Sequence, residues 1–264
     1  MRKLLLAPLA LAAGLMGGAA AAQETLTVGA YPSNPPWEFK NEQSEFEGFE
    51  VDMIREIADR MGMELDISDL GFQALFAATS SGRIDVAIST ITITEDRLQN
   101  QAFTQGYYDA DLSLVSIEGG VTGLDEMDGQ PVGAIASSTG EAWINENMEE
   151  YGFSDYRSYP SQQNLLLDVR AGRIAGAVGD ITGFQFAAQQ MPDLQIAERI
   201  VTGDQYGMML PQGSDLLEPI NAAITEMKQD GTMAEIYERW LGEAPGPDSA
   251  AINVLPVPES GGGD

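Results

Sequence analysis

Hydrophobic and polar positions along this chain switch repeatedly between a short apolar run and a helical spacing. Leu26-Thr27-Val28, Leu65 to Ile67, Ile84 to Ile88, Val132 to Ile135 and the apolar stretch before Asp180 read as short buried strands. Between them, Met53, Ile54, Ile57, Ala58 and Met61 recur with helical spacing from about Glu50, and Gly62 stands where a C-terminal cap belongs. Further helices are predicted over 72–80, from Ser137-Ser138-Thr139-Gly140 onward, over 164–170 and over 182–190. Two amphipathic helices close the pattern: Ile220, Ala223, Ile224 and Met227 line one, and Met233, Ile236, Tyr237 and Trp240 the other, with Gly231 between them. Strands alternating with helices make an α/β protein.

Two segments match one another. Ser81-Gly82-Arg83-Ile84-Asp85 and Ala171-Gly172-Arg173-Ile174-Ala175 each close a helix on Gly and enter a short strand. The first strand runs out into Thr90 and Thr92, the second into Asp180. Ligands of open α/β sheets collect at the carboxyl ends of strands, so the match predicts two similar lobes with polar edges facing one cleft. The extended stretches at 112–117 and 206–210 are predicted to cross between the lobes. That division gives a first lobe of residues 23–115 and 204–242 and a second of 116–203. From Gly242 onward the small residues, Pro and Gly predict a mobile tail, residues 243–264, that builds no core.

At the other end, Arg2 and Lys3 precede an apolar run from Leu4 to Met16, and Ala20-Ala21-Ala22 offers a cleavage site. Residues 1–22 are therefore expected to be a secretory signal peptide, too short in its apolar part to span a bilayer of about 30 Å. Export puts the mature chain in the periplasm. It has no Cys, so an oxidising compartment adds no disulfide, and no His, which removes the commonest metal ligand and general base. No metal, no cofactor and no catalytic residue are predicted. With 41 acidic against 13 basic residues the net charge is −28, which repels phosphate backbones and argues against nucleic acid as a partner.

The runs Pro36-Trp37-Glu38-Phe39, Gly48-Phe49-Glu50-Val51-Asp52, Thr92-Ile93-Thr94-Glu95-Asp96-Arg97 and Phe103-Thr104-Gln105-Gly106-Tyr107-Tyr108 occur in this order. With Ser138-Thr139-Gly140, Asp180 and the closing Trp240-Leu241-Gly242, the ordered set resembles the solute-binding proteins of polar amino-acid ABC importers, family 3. The resemblance covers nearly the whole mature chain. It implies the two-lobed type II periplasmic-binding fold with two hinge strands, a monomer that closes around one amino acid, and an inner-membrane ABC permease as partner.

The resemblance also assigns roles. Arg97 would hold the ligand α-carboxylate through its bidentate fork, although in so acidic a chain a surface ion pair is the plain alternative. Thr92 would bond the ligand through its hydroxyl and Thr90 through its backbone carbonyl; both also read as ordinary strand-end residues. Asp180 would take the α-ammonium, and it equally suits a helix N-cap. Ser138, Thr139 and Gly140 precede a helix whose free N–H groups favour an anion, or simply cap it. Phe72 would form an apolar wall. Asn34 departs from the aromatic residue that relatives often carry there, and Tyr31 stands where relatives binding cationic or amide side chains commonly place Asp. Trp37 is expected in the core beneath its loop. A cyclohexadienyl dehydratase-like enzyme uses the same fold and needs an acid near its substrate, for which Glu38 and Glu141 are the candidates; a receptor for a carboxylate or compatible solute is the remaining alternative.

The charge excess also makes a testable statement about stability. Salt screens self-repulsion between exposed carboxylates. Thermal unfolding followed by circular dichroism is expected to move upward between low and molar NaCl; a flat or falling midpoint would show that the acidic surface is no adaptation to saline surroundings.

Overall fold

A computed structural model describes residues 23–261, and the predicted signal peptide at 1–22 lies outside them. Strand β1 (Thr25–Ala30) starts the first lobe. The loop after it carries three short strands, β2 (Ser33–Asn34), β3 (Glu38–Lys40) and β4 (Phe46–Glu47), that pair antiparallel. Helix α1 (Phe49–Met61) follows, and its first free N–H groups are met by this loop: Phe49 N and Glu50 N donate to the carbonyls of Pro36 and Trp37, both at 2.9 Å. The same contact seats Trp37, fully buried, against Phe49 in an edge-on packing. The chain then forms β5 (Glu64–Asp69), α2 (Phe72–Ser80), β6 (Val86–Ile88), the short α3 (Glu95–Leu98) and β7 (Gln101–Phe103).

The second lobe holds β8 (Tyr108–Ile117), β9 (Pro131–Ile135), α4 (Thr139–Asn147), β10 (Asp155–Tyr159), α5 (Gln162–Arg170), β11 (Gly176–Asp180), α6 (Ile181–Gln190) and β12 (Leu194–Tyr206). The chain returns through β13 (Met209–Pro211) to α7 (Leu217–Asp230) and α8 (Thr232–Leu241). The first sheet has the order β5-β1-β6-β13-β7 and the second β10-β9-β11-β8-β12. In each, the first three strands are parallel and the last two join antiparallel.

The matched segments occupy equivalent places in these sheets. Arg83 N bonds Ala78 O and Arg173 N bonds Asp168 O, both at 2.9 Å, after a left-handed Gly with φ of 67° and 66°. Ile84 and Leu75 press on Gly29 of β1, and Ile174 and Leu165 press on Gly133 of β9; a Cβ on either Gly would stand within 2.9 Å of both neighbours.

Two expectations are corrected. The chain crosses earlier than predicted: residues 112–117 lie inside β8 of the second sheet, whose ladder with β12 already begins at Tyr108 opposite Tyr206. The apolar run alone does not say which sheet claims a strand, because β8 pairs with residues distant in sequence. The segment after Gly242 is expected to build no core; its described part, residues 243–261, packs on the first lobe with Ala250 and Ala251 buried, and residues 262–264 lie outside the described residues. Its backbone finds built partners: Ala250 N donates to Asp109 Oδ2 (2.8 Å), Leu255 N to Gln105 Oε1 (3.1 Å), and Asn253 O accepts from Lys228 Nζ (2.9 Å).

The entry to α1 sets a sharp local constraint. Gly48 has φ 132°, and a Cβ there would stand 2.1 Å from Trp37 O, whereas Gly62 has φ 67° in open space. Gly48→Ala is expected to cost about 3 kcal/mol or more, against about 1 kcal/mol for Gly62→Ala, in urea unfolding.

Candidate functional site

Each sheet directs its strand ends into the same cleft. From the first lobe come Tyr31 and Asn34 after β1, Phe72 at the start of α2, Thr90 and Thr92 after β6, and Arg97 on α3. From the second come Ser138, Thr139 and Gly140 at the start of α4, and Asp180 at the end of β11. All ten residues singled out in the sequence line one cavity between the lobes. The cleft is closed over it: Arg97 Nη2 donates to Ser137 O at 3.0 Å, and the Thr92 and Thr139 hydroxyls stand 3.5 Å apart.

Arg97 is placed by its own short helix, where Thr94 Oγ1 caps the Arg97 N–H at 3.3 Å. Its guanidinium donates to Thr92 O (2.8 Å) as well as to Ser137 O, and lies 5.1 Å from the Phe76 ring centroid. Among the described residues no carboxylate lies within 4.0 Å of it, so the surface ion pair is not what the structure shows. Burial lowers its pKa to about 10, with Asp204 and Tyr206 opposing; it remains a cation at neutral pH.

Asp180 caps α6 by accepting from Gly183 N, and its other oxygen accepts from the Tyr206 hydroxyl. Trp37 Nε1 adds a long contact at 3.4 Å from the first lobe, so Trp37 serves the core and reaches the site edge. Desolvation raises the Asp180 pKa, and the bonds from Tyr206, Gly183 and Trp37 only partly offset it. Arg97 and Asp180 are the only charged side chains among the residues lining the cavity, they come from opposite lobes, and they are not paired with each other.

Beneath the first-lobe wall lies a buried acid pair. Glu50 accepts from Thr90 N through both carboxylate oxygens (2.9 and 3.1 Å) and from the Tyr107 hydroxyl, which holds β-branched Thr90 at a strained φ of 47°. Glu38 Oε1 accepts from Ser89 Oγ (2.6 Å) and Asn34 Nδ2 (3.1 Å). Burial first, then the neighbouring Glu50, raises the Glu38 pKa well above the carboxylate range. Glu38 is fully buried and lies outside the cavity lining, and Glu141 accepts from Ser137 N (2.6 Å) and the Tyr156 hydroxyl (2.7 Å) to fix the entry to α4. Neither candidate acid faces the cleft.

Sequence reading overlooked Tyr206, Gln162 and Ser89 in the lining. Tyr206 carried a usable signal: a polar aromatic that opens a predicted crossing strand, directly before Gly207.

Two duplicated α/β lobes joined by antiparallel crossing strands, with one cavity held between their strand ends, define a receptor that closes around a small solute. The chain belongs to the bacterial extracellular solute-binding proteins, family 3, which it matches over residues 26–243. It is 30% identical over 260 residues to the lysine/arginine/ornithine-binding periplasmic protein of Escherichia coli K12, covering 91% of this chain and 97% of the relative. The L-cystine-binding protein of Escherichia coli K12 is 28% identical over 223 residues, with 83% of each chain covered. Among solved structures, an ancestral arginine-binding protein bound to arginine aligns with a TM-score of 0.79 at 31% identity, over 83% of this chain and 99% of that one. These are binding proteins, not enzymes, and the dehydratase alternative is dropped.

The raised pKa of Asp180 is directly measurable. Its carboxyl is expected to titrate above the ordinary Asp value of about 3.9, and Tyr206→Phe, which removes a bond to the charged form, should raise it further. Between the two values the folded state holds more protons than the unfolded, so this group lowers stability as pH rises through that window. Carbon-detected NMR titration checks both; an Asp180 midpoint at or below 3.9 contradicts the burial that the structure shows.

Proposed function

We propose that this protein is the periplasmic receptor of an amino-acid ABC importer, binding an L-α-amino acid in the interlobe cavity as a monomer and delivering it to an inner-membrane permease. One observation carries the reading: a single cation and a single carboxylate line the cavity from opposite lobes without pairing with each other. A zwitterionic head group suits that arrangement. Arg97 takes the α-carboxylate, aided by Thr92 and by the N–H groups at the start of α4, where the helix dipole favours negative charge. Asp180 takes the α-ammonium, with the Thr90 carbonyl beside it. Tyr31, Asn34 and Phe72 bound the side chain. The relatives support the ligand class and the compartment, since both names record amino-acid binding and that of the lysine/arginine/ornithine-binding protein records a periplasmic location.

Because the two charges sit on different lobes, the ligand is fully paired only when the cleft closes. Its affinity is therefore higher for the closed state, and that difference drives closure. The permease then meets a surface formed by both lobes together.

Isothermal titration of the ligand-free protein with L-amino acids tests the reading. Arg97→Ala and Asp180→Asn should each weaken binding by about 2–5 kcal/mol, the range for stripping one partner from a buried charge pair, which is roughly 30-fold or more. Tight binding of a plain carboxylate that lacks an ammonium, unaffected by Asp180→Asn, would overturn it.

A further inference from the structure

We infer that the receptor selects amino acids with neutral, hydrogen-bonding side chains, amide or hydroxyl, and rejects cationic ones. The inference rests on the head-group reading above and extends it to the rest of the cavity. Once the α-carboxylate and α-ammonium occupy Arg97 and Asp180, no charged side chain is left in the lining. A lysine or arginine side chain would be desolvated there without a counter-charge, and an unpaired buried charge is among the most unfavourable groups a protein can hold.

Two acids lie behind that wall and neither joins the lining: Glu50 is buried against Thr90 N and the Tyr107 hydroxyl, and Glu38 is withheld as well. It is fully buried behind Asn34, whose Nδ2 donates to Glu38 Oε1 (3.1 Å) and to Thr90 Oγ1 (3.2 Å). Burial first, and Glu50 beside it second, raise the Glu38 pKa well above the ordinary carboxylate value, which weakens the field it could offer a cation.

What the wall offers instead is acceptors. With both Nδ2 bonds directed into the first lobe, Asn34 leaves its Oδ1 toward the cleft, and Gln162 Nε2 is engaged by Gly183 O at 3.4 Å, leaving Oε1. Both oxygens lie on the Asp180 side of the cleft: a Cβ at Gly183 would stand 3.0 Å from Asp180 Oδ1, 3.3 Å from Gln162 Oε1 and 3.7 Å from Asn34 Oδ1. Neutral acceptors of this kind suit an amide N–H or a hydroxyl.

Isothermal titration of the ligand-free protein at neutral pH with glutamine, asparagine, serine, threonine, arginine, lysine, glutamate and aspartate tests the inference. The tightest ligand is expected among the first four, with arginine and lysine at least 100-fold weaker. Gln162→Glu adds a carboxylate to the wall at the first turn of α5, where the helix dipole tolerates it. It should shift the ratio toward lysine or arginine by tenfold or more. Arginine, lysine or an acidic amino acid binding tightest, with Arg97→Ala still abolishing it, would overturn this inference and leave the head-group reading standing. A folded Gln162→Glu protein with an unchanged ratio would likewise overturn it. Absence of binding by every amino acid, with the panel extended to the remaining L-amino acids and L-cystine, would overturn both.

Discussion

The constraint on which the rest of the structure depends is the separation of two opposite charges, Arg97 and Asp180, on two different lobes. Each is partly desolvated, and each is kept charged or near-charged by neutral partners rather than by an opposing ion. Arg97 is steadied by one backbone carbonyl from each lobe, Thr92 O and Ser137 O, and by the Phe76 ring. Asp180 is steadied by the end of α6, by Tyr206 on the crossing strand β12 and by Trp37. In a chain of net charge −28, Arg97 lies in the cavity lining with no carboxylate in ion-pair range among the described residues. A direct Arg97–Asp180 pair would hold the lobes together without a ligand, and the structure leaves both side chains unpaired with each other.

The duplicated α/β unit is what makes this separation possible. The same helix, left-handed Gly and short strand occur once per lobe, and in both the Ile after the turn packs on a strand Gly. Both lobes therefore end their central strands at the cleft, one delivering Thr90 and Thr92, the other Asp180. The crossing strands couple the lobes, and the last segment, through Asp109 and Gln105, braces the first of them where it leaves the first lobe. Lys228, whose pKa burial lowers to about 8, ties that segment to Gly106 O at 2.7 Å and to Asn253 O.

Below the cavity, Glu38, Glu50, Tyr107 and Ser89 form a polar layer inside an otherwise apolar lobe. Glu50 holds the strained Thr90 and Glu38 orients Asn34, so two residues of the cavity wall are fixed by groups outside the lining. The cavity lining thus carries charge at Arg97 and Asp180 alone, with neutral polar groups such as Asn34, Gln162 and Tyr206 elsewhere.

Much of this was legible in the sequence. Periodicity placed α1, α2, α5, α7 and α8 to within a few residues because each buries one face, and the caps at Gly62, Thr94, Ser138 and Asp180 follow from local backbone chemistry. The matched Gly-Arg-Ile segments foretold two lobes and the residues at their strand ends, because a strand end is a local property. What tertiary structure alone decided is everything that depends on pairing across distance. β8 joins the second sheet rather than the first because β11 and β12 claim its edges, and Ala250 and Ala251 are buried because Lys228, Gln105 and Asp109 offer partners to a segment whose composition promises none. Glu38, which by type and loop position looked available for chemistry, is buried beside Glu50, and burial first and that neighbour second raise its pKa. A residue's charge in the folded protein is set by desolvation and by its neighbours, and neither is written in its own position along the chain.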